Sequence, residues 1–334
     1  MVDDERFEGA KRICIFGAGA IGGWLGVNLA RVGCDVSVVA RGETLAAIQR
    51  YGLRLESDGE LLAMPVRVSS DPSALGTQDI LVIAVKSPAL PDIMQSVGPL
   101  LGPDTTVLIA MNGVPWWFLH GIGGRLNGQP LHTVDPRGEL GKHIPVERIV
   151  GCVVHASCSV EEPGLVRHRL GRQLIIGEPS GGTSLRVSTL ANLLNRAGFD
   201  SVVSDCIQRD IWFKLWGNMT MNPVSAITGA TADLILDDEL VRGFMSHVML
   251  EARDIGALIG IPIAQSPDDR QQVTRKLGAF KTSMLQDAES GKRVELDALV
   301  SVVRELGKLV GVSTPFTDAL LGLARLQFRV RGLY

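Results

Sequence analysis

The sequence predicts two domains in series: an α/β domain built on a mostly parallel sheet covered on both faces, then an all-α domain. Three observations carry that prediction. From Arg12 short β-branched runs alternate with helical segments, the pattern of βαβ units. The first of those runs feeds directly into a glycine-rich turn, Gly17-Ala18-Gly19-Ala20-Ile21-Gly22. From Asp205 onward the apolar spacing is helical almost throughout. A chain of 334 residues has room for about two domains, each with its own apolar core. The expected division is 1–204 and 205–334.

Candidate strands are Arg12–Phe16, Asp35–Val39, Ile80–Val85 and Thr106–Ala110, each an almost continuous apolar run of the kind buried in a parallel sheet. Helices fill the gaps, the first running from the glycine turn to about Ala30. The segment GLRLESDGELLAMPVRV nearly alternates around Ser57-Asp58-Gly59, which predicts a hairpin and not a crossover. After Asn112 the chain turns rich in Gly and Pro and carries Trp116-Trp117, so an excursion over 115–148 is expected, as a lid or a surface insertion of the first domain. Strand-like runs return at Ile149–Ala156, Leu165–Arg169 and Gln173–Gly177. A helix over about Ser184–Ala197 and a last strand at Ser201–Val203 follow. In the helical part, caps or breaks fall at Pro223, Asp237, Gly260-Ile261-Pro262, Gly291 and Pro315.

Composition excludes several functions. The 33 basic and 36 acidic side chains leave a formal charge of -3, with no basic stripe to neutralise phosphates, so no nucleic-acid partner is expected. Five cysteines without CxxC spacing suggest neither a disulfide framework nor a zinc ribbon. The six histidines show no ligand spacing and are read as structural or exposed, with no metal site. The start of the chain, MVDDERFEGAKR, is acidic where a leader would be basic, which predicts a cytoplasmic protein. Two uncharged stretches approach the length of a membrane span. Residues 13–30 hold five glycines and 215–232 are broken by Asn218, Asn222 and Pro223, so neither is read as transmembrane.

The glycine turn fits GxGxxG in the right context, after a strand and before a helix. Gly17 permits the tight turn, Gly19 lets backbone approach a pyrophosphate, and Gly22 lets the helix pack close to the strand. The helix N-terminus adds N–H donors and positive dipole charge. This is the Rossmann-type fingerprint, and it implies a dinucleotide cofactor. At the end of the second strand an NAD enzyme places a carboxylate for the ribose 2′-hydroxyl, whereas here Arg41 stands, a cation suited to a 2′-phosphate. NADP is therefore expected, against the alternative of an exposed loop arginine. Lys86 and Asn112 follow two further strands. Lys86 would meet a phosphate or ribose, and Asn112 the nicotinamide side or the substrate, unless they are a solvated lysine and a turn-forming asparagine.

In the helical part, Lys214, Asn218 and Asn222 recur at i, i+4 and i+8 among Trp, Leu and Met, forming a polar seam about 12 Å long. Leaving such a seam buried and unpaired is costly, so it should face a partner or a wet site. A partly desolvated lysine there can act as a general acid. The structural alternatives are an Asp210–Lys214 surface pair and amides that bond helix ends. Ser283 and, beyond Gly291, Glu295 add a hydroxyl and a carboxylate on two later helices.

Taken together these residues resemble the ketopantoate reductase (2-dehydropantoate 2-reductase) family. The likeness spans nearly the whole chain: GAGAIG, Arg41, VKSP around Lys86, MNG around Asn112, KLWGNMTMNP, and TSMLQD followed by VELD. The resemblance implies a Rossmann-type domain, a helical domain, and NADPH-dependent reduction of ketopantoate to pantoate in pantothenate synthesis. It implies that Lys214 donates the proton while Asn112, Asn218, Asn222 and Ser283 bind substrate. It further implies that Gly17 to Gly22, Arg41, Lys86 and Asn112 hold NADP and that Glu295 fixes a cofactor ribose. The chain departs from the family pattern in the 115–148 excursion, at Ser157, at Val294 and at Val300-Ser301. Two other readings stay open: a paralogous reductase of another 2-oxo acid or ketone, and an NADP-binding sensor that would have lost the polar seam. A homodimer is compatible with a reductase of this kind.

Overall fold

The computed structural model describes residues 10–334, so most of the acidic start of the chain lies outside the described residues. Two compact units emerge, one running through Met111 and resuming over Glu139–Ile207, the other made of Asn112–Gly138 and Gln208–Tyr334.

The first unit is a ten-stranded sheet. Its strands are β1 (Arg12–Phe16), β2 (Asp35–Val39), β3 (Leu53–Ser57), β4 (Glu60–Met64), β5 (Arg67–Ser69), β6 (Gln78–Ile83), β7 (Leu101–Ile109), β8 (Ile149–Glu162), β9 (Leu165–Gly177) and β10 (Asp200–Val203). They lie in the order β4-β3-β9-β8-β7-β6-β1-β2-β5, with β10 beside β9. The run from β5 to β8 is parallel throughout, as the continuous apolar character of β1, β2, β6 and β7 requires. Beyond it the sheet is mixed, with β9 antiparallel to β8 and parallel to β3. The predicted hairpin is β3–β4, closed by Asp58 and Gly59 at φ 55° and 82°, the paired positive values of a tight two-residue turn. Where two strands were expected over 165–177, β9 is one. Gly171, at φ 78°, lets the strand bulge against the His155 carbonyl and continue, so the polar break in the pattern is a bulge and not a turn.

Helix α1 (Ala20–Arg31) lies on the sheet, and its glycines explain how closely. A Cβ at Gly23 would stand 2.6 Å from Val166 Cγ2, and one at Gly26 would stand 2.8 Å from Leu53 Cδ2. Trp24 is fully buried, stacked on His168 at 5.3 Å and edge-on to Phe199 at 4.7 Å. His168 also bonds Ser57 Oγ at 3.1 Å and the Gly171 carbonyl at 2.6 Å, the surroundings of a core histidine. Helices α2 (Gly42–Tyr51), α3 (Leu90–Met94), α4 (Leu140–His143) and α5 (Leu185–Arg196) complete the unit, α5 being capped by Ser184.

The second unit is helical: α6 (Ile207–Thr228), α7 (Ala232–Asp237), α8 (Glu239–Leu258), α9 (Pro267–Arg275), α10 (Ser283–Glu289), α11 (Val302–Val310) and α12 (Pro315–Val330). The expected break at Pro223 is absent, and α6 runs through it. The residues from Met219 to Ala226 are all buried, and that packing offsets the one lost backbone bond and the ring clash. The excursion divides. Residues 112–138 belong to this unit, and only the rest of it to the sheet. Its apolar side chains are core, not lid: Trp116, Trp117, Phe118, Leu119, Leu126 and Leu131 are buried. Gln208 donates to the His120 carbonyl at 2.6 Å, and the Glu305 carboxylate accepts the N–H groups of His132 and Thr133, both at 2.8 Å. Among the described residues no helix is long and apolar enough to cross a membrane.

Candidate active site

The sequence-predicted residues fall into two groups, one in each unit. In the first, β2, β1 and β6 are parallel neighbours, so the chain segments leaving their carboxyl ends emerge at one edge of the sheet. Those segments carry Arg41, the Gly17–Gly22 turn and Lys86. Gly17 has φ 104°, and a Cβ there would sit 2.7 Å from Val85 Cγ1 and 3.0 Å from the Ala84 carbonyl oxygen. A Cβ at Gly22 would sit 2.0 Å from the Gly17 carbonyl oxygen, so the first turn of α1 is pressed onto the strand that feeds it. A Cβ at Gly19 would meet nothing within 4 Å.

That contrast assigns the glycines. Gly17 and Gly22 make the turn, and Gly19 leaves open space over the helix N-terminus. Gly19 is the N-cap of α1, no side chain caps the helix, and no acidic residue occupies its first turn. The leading N–H groups and dipole charge thus face open space, which suits a pyrophosphate. Arg41, the N-cap of α2, is exposed and its side chain has no partner among the described residues. Lys86 is exposed at the start of the short turn Ser87–Ala89. These residues fit a dinucleotide with a further phosphate on its ribose.

In the second unit the seam on α6 is present as spaced. Lys214 Nζ donates to Asn112 Oδ1 at 2.8 Å, joining the residue that follows β7 to the middle of α6. Asn218 is half-buried and Asn222 is buried, yet neither amide has a hydrogen-bond partner among the described residues. Their polar atoms are not among the fully buried ones left unsatisfied, so they reach solvent and are open to a ligand. The alternative in which these amides bond helix ends is therefore not what the structure shows. Ser283 opens α10, exposed and without a side-chain partner, while Thr282 caps that helix by accepting from the Leu285 N–H at 3.2 Å. Glu295 is buried, but on the extended segment ahead of the next helix and not on the helix itself. Three residues on, the Ala298 carbonyl accepts the Val114 N–H at 2.9 Å, and a Cβ at Gly113 would lie 2.5 Å from that oxygen. The segments bearing Asn112 and Glu295 are thereby packed together. Asp297–Ser301 forms a π-helical turn, where the sequence departs from the family pattern at Val300-Ser301.

Sequence reasoning missed Arg270. From α9 its guanidinium lies against Gly217, the residue just before Asn218 on α6, with Nη2, Nε and Cζ 3.0, 3.1 and 3.2 Å from where a Cβ would be. The signal was a glycine inside a helix, which destabilises by about 1 kcal/mol relative to alanine and needs a packing reason.

The phosphate-ready turn at a parallel strand end, with a lysine and partnerless amides on a helical unit, defines an oxidoreductase of the Rossmann type. Comparison with known proteins gives the family. The family model described as ketopantoate reductase PanE/ApbA matches residues 13–181, and that of the ketopantoate reductase PanE/ApbA C-terminal part matches 206–327. The chain belongs to the ketopantoate reductase family. It is 47% identical over 324 residues to a 2-dehydropantoate 2-reductase of Mesorhizobium japonicum, covering 97% of this chain and 99% of that one. Its structure matches that of a protein assigned as a ketopantoate reductase from Ralstonia solanacearum MolK2 with TM-score 0.94 and 55% identity, over 98% and 100% of the two chains. A 2-dehydropantoate 2-reductase from Geobacter metallireducens matches with TM-score 0.83 and 27% identity, over 94% and 99%.

Proposed function

We propose that the protein reduces the 2-oxo acid ketopantoate to pantoate with NADPH, as a step of pantothenate synthesis. The observation that carries this reading is the Lys214–Asn112 pair at the head of a seam of partnerless amides. NADPH, when bound, supplies the hydride that reaches the keto carbon. Gly17 to Gly22 would hold its pyrophosphate on the α1 N-terminus, Arg41 its 2′-phosphate, Lys86 a phosphate or ribose oxygen, and Glu295 a ribose hydroxyl.

The rest is done by the chain's own side chains. Asn112 Oδ1 accepts one N–H of the Lys214 ammonium and so fixes where Nζ points. Lys214 orients the keto oxygen by hydrogen bonding, offsets the negative charge that grows on it, and passes it a proton as it becomes a hydroxyl. Asn218, Asn222 and Ser283 offer amide and hydroxyl groups to the polar ends of the substrate, at no loss of internal hydrogen bonds because their side chains make none among the described residues. A reductase with a remodelled substrate pocket draws no support from the excursion, since Trp116 and Trp117 are core residues. The test is NADPH oxidation by purified protein with ketopantoate beside a panel of other 2-oxo acids. Preferred turnover of ketopantoate is expected; turnover of another acid in its place would transfer the reading to that substrate.

A further inference from the structure

Among the described residues Arg270 is a cation without an anion. It stands on α9, whose start is fixed by a reciprocal cap between Ser266 and Asp269. Its guanidinium lies on the α6 backbone at Gly217 and 5.8 Å from the Phe213 ring centroid. Nη1 donates to Thr274 Oγ1 at 3.3 Å, a weak contact, and Nε is buried with no acceptor among the described residues. Among the described residues no carboxylate pairs with the group, and burial lowers its pKa from the ordinary arginine value. Packed cations are normally paired, because a desolvated charge is otherwise costly. The chain has also placed a glycine at 217, inside a helix, where even a Cβ would press on the guanidinium at 3.0 Å.

We infer that Arg270 determines specificity for 2-oxo acids by binding the substrate's carboxylate beside Lys214. The inference rests on the reading given under Proposed function and names the group that recognises the acid. Gly217 is three residues beyond Lys214, so the glycine that the guanidinium covers lies about one helical turn, roughly 5 Å along α6, from the lysine's point of attachment. A 2-oxo acid carries its carboxylate on the carbon next to the ketone. It presents two oxygen-bearing centres at a spacing suited to one cation for the keto oxygen and another for the acid. Arginine suits the second, because its planar donors match a carboxylate. The partnerless amides of Asn218 and Asn222 then serve the remaining hydroxyl end.

The test compares ketopantoate with its uncharged lactone as substrates for wild type, Arg270→Lys and Arg270→Met. In Arg270→Met the KM for ketopantoate should rise about tenfold or more, the usual effect of removing a hydrogen-bonding partner from a charged group. NADPH affinity and turnover of the lactone should stay the same, so the preference for acid over lactone collapses. Arg270→Lys, which keeps the charge and loses the fork, should show an intermediate preference and decides the matter if the methionine variant does not fold. A purely structural arginine would lower the melting temperature and leave the preference unchanged. Turnover by wild type with an unchanged preference in the variants overturns the assignment of Arg270 alone. Failure of wild type to reduce any 2-oxo acid overturns the functional reading and this inference with it.

Discussion

The glycine turn and the polar seam are built on opposite principles. In the turn, function comes from what is absent: side chains are missing at Gly17 and Gly22 so that backbone can close on backbone, and at Gly19 so that space stays open. In the seam, the proposed function comes from what is present: an ammonium bonded to the Asn112 amide, and two further amides with no partner among the described residues. A site made of backbone is broken by adding atoms. A site made of side chains is broken by removing them. The largest effect should follow removal at the head of the seam. Lys214→Ala is expected to lower kcat about a thousandfold, the scale of losing a positioned acid and the charge it supplies, while NADPH binding, followed by its fluorescence, is retained. Loss of NADPH binding in that variant would mean that the lysine belongs to the cofactor site.

Addition to the turn gives the complementary test, with one substitution at two positions. Gly22→Ala forces a methyl to within 2.0 Å of a carbonyl oxygen and should destabilise the first unit by about 3 kcal/mol, seen in thermal unfolding. Gly19→Ala meets no atom, so the melting temperature should hold while NADPH binds about tenfold or more weakly, because the methyl occupies the space left for phosphate. Equal effects of the two changes on stability would erase the distinction between the turn's frame and its opening.

The same distinction explains what the sequence makes legible. The strands β1 and β2, the turn and α1 depend on neighbours within about thirty residues, and their bounds follow from the pattern alone. The lysine and its two amides are likewise readable, because helical spacing places them on one face. The partners of that face are not. Asn112 reaches Lys214 across 102 positions of chain, and Arg270 reaches Gly217 from another helix. The glycine- and proline-rich segment after Asn112 reads as an excursion, since nothing local shows that its tryptophans complete the core of the second unit. Pro223 reads as a break because propensity is local, while the burial that carries α6 past it is tertiary.

Arg41 sharpens the comparison on the cofactor side, as the side chain proposed to serve the backbone site. It is exposed and its side chain has no partner among the described residues, so Arg41→Ala should leave the melting temperature unchanged. The KM for NADPH should rise about tenfold, with little change for NADH, because only the former has a 2′-phosphate to lose contact with. A parallel rise for both cofactors would place Arg41 on a group they share.

The smallest effect concerns a charge that does have its partner, the counterpart of Arg270. Glu178, at the end of β9, is buried, which would raise its pKa. The bonds it accepts from Arg186 and Ser184 outweigh burial and hold the carboxyl below the ordinary glutamate range. Arg186 also donates to the Ile149 carbonyl at 3.2 Å, so the pair ties the start of β8, the end of β9 and the first turn of α5. A carboxyl with a lowered folded pKa binds its proton less well in the folded state than in the unfolded one. Its contribution is therefore complete above the unfolded pKa and is lost as pH falls through the folded value. Glu178→Gln should destabilise the protein at pH 7 by about 1 kcal/mol, the net worth of a typical hydrogen bond. Below the ordinary glutamate pKa the variant and wild type should converge in chemical unfolding. A gap that persists unchanged into acid would show that the loss comes from the packing of the side chain and not from its charge. The pair would then say nothing about how this fold treats a charge with a partner and one without.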